Sequence, residues 1–163
     1  MSEYEERARA VLSACKARGI MLATAESCTG GMIAAALTDI AGSSTVVDRG
    51  YVTYSNEAKM DMLGVLPETL ATHGAVSEET ALEMASGALD RSRAGVAVAV
   101  TGIAGPDGGS TEKPVGLVWF GLALEGRPPT AQSHIFSGQD RAAVRSSTVE
   151  MALDLVLSSL KNA

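Results

Sequence analysis

Apolar residues recur at three- and four-residue steps at both ends of the chain and fall in shorter, β-branched runs through its middle. Tyr4, Ala8, Val11, Leu12 and Cys15 predict an amphipathic helix over residues 3–18, closed by Gly19. The apolar run 20–22 predicts a short buried strand, and residues 23–31 a polar, glycine-ended turn before a helix from Met32 to about Ile40. Gly42 breaks the chain. Residues 46–54 are β-branched and aromatic enough for a strand, with a bend or bulge at Asp48-Arg49-Gly50. Ser55 is an expected N-cap for a short helix through Leu63, Pro67 starts another helical turn, and Ser77 caps a longer helix that buries Ala81, Met84, Ala85, Ala88 and Leu89. Residues 95–101 form a continuous apolar run, typical of a strand covered on both faces. Strands over 115–124 and 130–136 are joined by a Glu-Gly-Arg-Pro-Pro loop suited to a hairpin. From Gln139 a closing helix turns Val144, Thr148, Met151, Leu155 and Val156 inward. This alternation predicts an α/β fold, a three-layer α/β/α sandwich with a mostly parallel central sheet, formed by residues 1–163 as one domain.

Composition narrows the function. A chain of 163 residues with 46% apolar and 20% charged residues is an ordinary globular protein. Its net charge of −6 argues against a non-specific nucleic-acid binder. Two cysteines make no disulfide framework, and only His73 and His134 stand beside them as soft ligands, so no metal site is expected. The acidic start is unlike a signal peptide, and no apolar run nears the roughly 20 residues of a membrane span. A cytoplasmic location follows, without membrane contact.

Two glycine-rich turns directly follow buried strands, and in open α/β sheets ligands bind beyond such strand ends. The second, residues 102–109, fits neither the dinucleotide fingerprint nor a P-loop, because its first glycine interval is too long and Lys113 precedes Pro114. Clustered amides could still cradle one phosphate. In the first turn Ser27 and Cys28 are adjacent nucleophile candidates, and each needs a base. His73, His134 and Lys59 are available. Lys59 serves if its helix docks over the turn and desolvates the amine, with Tyr54 to relay or orient the proton.

Five motifs then carry a family resemblance: Thr24-Ala-Glu-Ser-Cys-Thr-Gly-Gly31, Ala41-Gly-Ser-Ser44, Tyr54-Ser-Asn-Glu-Ala-Lys59, His73-Gly-Ala-Val-Ser77 and Thr101-Gly-Ile-Ala-Gly-Pro-Asp-Gly-Gly109. In this order, from about residue 8 to the C-terminus, they resemble the CinA family in its stand-alone form. The molybdopterin-binding-like domain of longer members is absent, so pyrophosphatase activity is not implied. The resemblance implies hydrolysis of the carboxamide of nicotinamide mononucleotide to nicotinate mononucleotide and ammonia, without cofactor or metal. It implies Ser27, Lys59 and Tyr54 as the catalytic group. Amides of the first turn, including Thr29, Gly30 and Gly31, would then serve the oxyanion. Thr101, Gly105, Ser44, Arg141 and Arg145 are the candidates for the phosphate. A non-catalytic binding module for a phosphorylated ligand, or a thiol amidase using Cys28, remain the alternatives. A homodimer is a further expectation.

Overall fold

The computed structural model describes residues 3–162. Helix α1 (Glu5–Arg18) ends as its spacing predicts, at Gly19 in the left-handed region (φ 66°). The first strand departs from expectation. β1 covers Leu22–Glu26, running into residues that look like turn in isolation. Alanine and glutamate have weak strand preference, but here all five residues are buried between two strands and two helical layers, and that packing overrides propensity. Helix α2 (Met32–Thr38) leads through a 3₁₀ turn at 43–45 to β2 (Val47–Val52). The expected bulge is present: Leu22 pairs with Val47 and Ala23 with Arg49, leaving Asp48 as the extra residue.

Helices α3 (Asn56–Leu63) and α5 (Glu78–Asp90) start at Ser55 and Ser77, whose hydroxyls accept from the amides of Ala58 and Thr80. Between them α4 (Pro67–His73) carries proline in its first turn, where no amide is needed. Strand β3 (Val96–Gly102), the hairpin β4 (Leu117–Leu124) and β5 (Thr130–Ile135), and the 21-residue α6 (Arg141–Lys161) complete the chain.

The five strands lie in the order β2-β1-β3-β4-β5. β1 pairs in parallel with both β2 and β3, whereas β3–β4 and β4–β5 are antiparallel. Four strands therefore share one direction and β4 alone opposes them. The sheet is mixed, because a five-residue hairpin loop cannot return a strand in parallel. Helices α1, α2 and α6 cover one face; α3, α4 and α5 cover the other. The chain leaves β1 by one face and β2 by the other, so the strand order reverses at β1 and opens a crevice at its carboxyl end.

The two faces differ in bulk. Toward α1, α2 and α6 the sheet presents Leu22, Val96, Val98, Val100, Val118 and Phe120; toward α5 it presents Ala23, Ala25, Ala97, Ala99 and Ala123. Small residues let α5 lie close. At Gly121 an added Cβ would come 2.2 Å from the Ala81 carbonyl oxygen, a backbone atom that cannot step aside. Gly121→Ala should cost about 1–3 kcal/mol through overpacking, lowering Tm in thermal unfolding by about 2–12 °C for a domain of this size.

Candidate active site

The carboxyl end of β1 is held on both sides. The Ser27 amide donates to Val100 O at 3.1 Å, and the Thr53 amide donates to Glu26 O at 2.7 Å, so the ends of β1, β2 and β3 converge at Ser27. The chain then turns tightly, with Gly30 N–H donating to Ser27 O at 3.0 Å. Gly30 and Gly31 both have left-handed φ (57° and 107°), which a side chain would strain.

Glu26 is fully buried. Its carboxylate accepts from the amides of Gly31 (3.2 Å), Ile33 (2.9 Å) and Ala34 (3.0 Å), and from the Thr29 hydroxyl. The positive end of α2 is thus met from within the chain. This corrects the expectation for Gly30 and Gly31, whose amides are already engaged; the Thr29 side chain is buried against Glu26, and only its backbone amide stays without a partner among the described residues. None of the three lines the pocket.

Lys59 sits one turn into α3 and is 1% exposed. Its Nζ lies 3.0 Å from Ser27 Oγ and donates to the carbonyls of Thr53 (2.9 Å) and Tyr54 (3.3 Å). No carboxylate pairs with it among the described residues. Burial therefore holds its pKa below the ordinary lysine value, and only weakly does the neighbouring Cys28 oppose this. A neutral amine has two N–H bonds and a lone pair. With its two N–H bonds given to the carbonyls, the neutral form would turn its lone pair to the serine hydroxyl.

Cys28 also faces the pocket, but burial pushes its thiol up to about 11. A thiol with that pKa is protonated near neutrality and is a poor nucleophile.

The pocket is a cavity of about 300 Å³. Ser27, Cys28 and Lys59 lie along it with Tyr54, Asn56, Ala75, Val76, Thr101 and Arg141, and the second glycine-rich turn contributes residues 102–105, Asp107 and Gly108. Tyr54 is 63% exposed at the rim, where its hydroxyl accepts from Arg141 Nη2 at 3.2 Å. The relay expected of that hydroxyl is therefore not supported; the backbone carbonyl of Tyr54 is what reaches Lys59. Thr101 donates to Ala75 O at 2.9 Å, and the carbonyl of Gly105 accepts from Arg141 Nη1 at 2.8 Å. Arg141 thus bridges the second turn and Tyr54 across the pocket mouth, with three of its five N–H bonds still free of these contacts.

Other sequence candidates fall elsewhere. Ser44 is exposed in the 3₁₀ turn ahead of β2, and because β2 runs parallel to β1 this is the opposite end of the sheet from Ser27. Arg145 does not line the pocket; its Nε and Nη2 donate to the carbonyls of Cys28 (3.0 Å) and Thr29 (3.3 Å). His73 is exposed beside Glu79, and His134 lies on β5 against the Phe136 ring. Asn56 and Asp107 were missed. Their only signal was position, next to the α3 cap and inside the second glycine-rich turn. Among the described residues no three His, Cys, Asp or Glu side chains come together as a metal site, and no helix is long and apolar enough to cross a membrane.

A largely apolar cavity with a few converging polar groups, at the strand-order reversal of an α/β/α sheet, is where proteins of this architecture take small molecules. The chain belongs to the CinA family: the model of the CinA C-terminal domain matches residues 4–160. It is 56% identical over 152 residues to the nicotinamide-nucleotide amidohydrolase PncC of Escherichia coli (strain K12), covering 93% of this chain and 92% of that protein. The PncC of Enterobacter agglomerans is 58% identical over 146 residues, covering 89% and 88%. The crystal structure of the competence/damage inducible protein CihA from Agrobacterium tumefaciens superposes with a TM-score of 0.94 at 55% identity, over 99% of this chain and 97% of that one.

Proposed function

We propose that this protein is a nicotinamide-nucleotide amidohydrolase that converts nicotinamide mononucleotide and water to nicotinate mononucleotide and ammonia. The observation that carries the mechanism is the buried amine of Lys59, held by two carbonyls 3.0 Å from Ser27 Oγ. The activity named for relatives at 56–58% identity supports the substrate class.

Neutral Lys59 takes the Ser27 proton as Oγ bonds to the carboxamide carbon, and the carbonyl π electrons move onto oxygen. Collapse of this tetrahedral intermediate re-forms the C=O bond and breaks the C–N bond. The Lys59 ammonium returns its proton to the leaving nitrogen, releasing ammonia and leaving a nicotinoyl ester on Ser27. Water then attacks the ester, giving one proton to Lys59. The ester C–O bond breaks and Ser27 regains the proton as the acid product departs. Splitting the reaction in this way replaces attack of water on an unactivated amide with two easier displacements.

The test is ammonia release from nicotinamide mononucleotide, its riboside and free nicotinamide. Turnover of the nucleotide with little of the other two supports an amidohydrolase with a phosphate subsite. Binding of the nucleotide without ammonia release would make the domain a binding module instead. A cytoplasmic site of action fits the two free cysteines, Cys15 and Cys28; a homodimer is part of the same proposal.

Arg141 is the proposed phosphate ligand, because it stands at the pocket mouth with N–H bonds to spare. Arg141→Ala should mainly raise KM for the nucleotide, by about tenfold to more than a hundredfold, as expected for losing roughly 1.5–3 kcal/mol from one charged partner. Activity on the riboside should change far less. Equal losses on both substrates would place Arg141 outside the phosphate subsite.

A further inference from the structure

The turn that carries Ser27 is tied down by its carbonyl groups. Ser27 O accepts from the Gly30 amide at 3.0 Å, and Cys28 O accepts from Arg145 Nε at 3.0 Å. In a trans peptide the N–H points away from the C=O of the same plane. The two planes concerned carry the amides of Cys28 and Thr29, which therefore face away from Gly30 and from Arg145 respectively. Among the described residues neither amide donates to another residue. Every neighbouring amide is engaged: Ser27 with Val100 O, Gly30 with Ser27 O, Gly31 with the Glu26 carboxylate, and Met32 with Thr29 O. Two adjacent donors that no other described residue occupies, beside a buried hydroxyl, are what a developing oxyanion needs.

We infer that Glu26 and Arg145 are positioning residues that grip the Ser27–Gly31 turn from opposite sides and thereby aim the Cys28 and Thr29 amides at the oxyanion. Glu26 acts on the donor side, gathering the Gly31, Ile33 and Ala34 amides and the Thr29 hydroxyl. Arg145 acts on the acceptor side, holding two successive carbonyls from α6. Its guanidinium also polarises the peptide between Cys28 and Thr29, which makes the Thr29 N–H a better donor. Fixing the donors before substrate arrives removes the reorganisation that a mobile loop would require. Neither side chain needs to touch substrate. The brace acts only through Ser27 as nucleophile, and so rests on the function proposed for the pocket.

The test compares kcat and KM for nicotinamide mononucleotide in the full chain with Arg145→Ala, Arg145→Lys, Glu26→Gln and, separately, Ser27→Ala. A second substrate is the thioamide analogue, whose sulfur is a weaker hydrogen-bond acceptor than oxygen. Arg145→Ala should lower kcat about ten- to hundredfold with KM within about threefold of wild type, a partial loss of what one oxyanion donor supplies. Arg145→Lys should recover part of it, because an ammonium can still hold one carbonyl. Glu26→Gln should fall in the same direction. The wild-type preference for the amide over the thioamide should narrow in all three. A rise in KM at constant kcat would overturn the inference and return Arg145 to the phosphate. An unchanged amide-to-thioamide ratio with both rates reduced would leave Arg145 and Glu26 as mere supports of the fold, and unchanged kcat would remove the brace altogether. Where Arg145→Ala does not fold, the Arg145→Lys ratio decides. Turnover by Ser27→Ala would instead sink the nucleophile itself, whatever the other variants do.

Discussion

Lys59→Arg is expected to be nearly as inactive as Lys59→Ala, with kcat about a hundred- to ten-thousandfold below wild type, the usual contribution of a positioned base. Arginine keeps the charge but does not lose its proton in a protein, so it cannot accept one from Ser27. The site also has no room for a cation's needs. Among the described residues two carbonyls face the amine, and no carboxylate pairs with it to balance a permanent charge. The pH dependence has a definite sign. Below the pKa of Lys59 the amine is protonated and the enzyme idle; above it the lone pair is free and kcat/KM rises to a plateau. Because burial lowers that pKa, the rise should come at lower pH than an ordinary lysine would give. His73→Ala and His134→Ala should both stay active and leave this limb in place, since both residues are exposed and away from the pocket. Near wild-type turnover by Lys59→Arg would reduce the lysine to an electrostatic group and leave the base to be found elsewhere.

Ser27→Ala should reduce turnover to below about a thousandth of wild type, the scale on which loss of a nucleophile is felt, while the protein stays folded. Cys28→Ala should keep activity within about tenfold, because a thiol pushed up to about 11 contributes almost no thiolate near neutrality. Ammonia release by the two variants, measured with and without thiol alkylation, separates the two. An active Ser27→Ala enzyme that alkylation silences would make Cys28 the nucleophile.

The elements that carry this site were legible because their start and stop signals are local in sequence, whereas the pairing of Ser27 with Lys59, 32 residues apart, came from the family resemblance. Ser55 predicts the start of α3, and that start sets Lys59 one turn in; Gly30 and Gly31 predict the tight reversal after β1. Where sequence reasoning failed, the missing quantity was direction. Arg141 and Arg145 lie one helical turn apart and look equivalent, yet one reaches the pocket mouth and the other the outside of the nucleophile turn. Tyr54 precedes Lys59 closely enough to suggest a hydroxyl relay, but the strand end turns its ring out to the rim and its carbonyl in. Ser44 belongs to a motif beside the others in sequence, and parallel pairing of β1 with β2 carries it to the far end of the sheet. Glu26 stood inside the first motif, but nothing in the sequence gave it a role. A lone carboxylate in an apolar strand has no pattern, and its role exists only once α2 has folded back over it. The reversed direction of β4 was implicit in the hairpin loop that joins it to β5.

The unequal bulk of the two sheet faces has a consequence for how this sequence can evolve. Against α1, α2 and α6 the valine, leucine and phenylalanine side chains form a thick layer, where one aliphatic residue can replace another if a neighbour adjusts its rotamer. Against α5 there is no such slack. Ala97 and Ala99 are completely buried, and at Gly121 the helix backbone itself is the neighbour. Drift on that face is confined to the smallest residues, and a larger one there requires a compensating change in α5 in the same lineage. Because α3 packs on α5 and carries Lys59, that constraint extends from the sheet to the position of the amine.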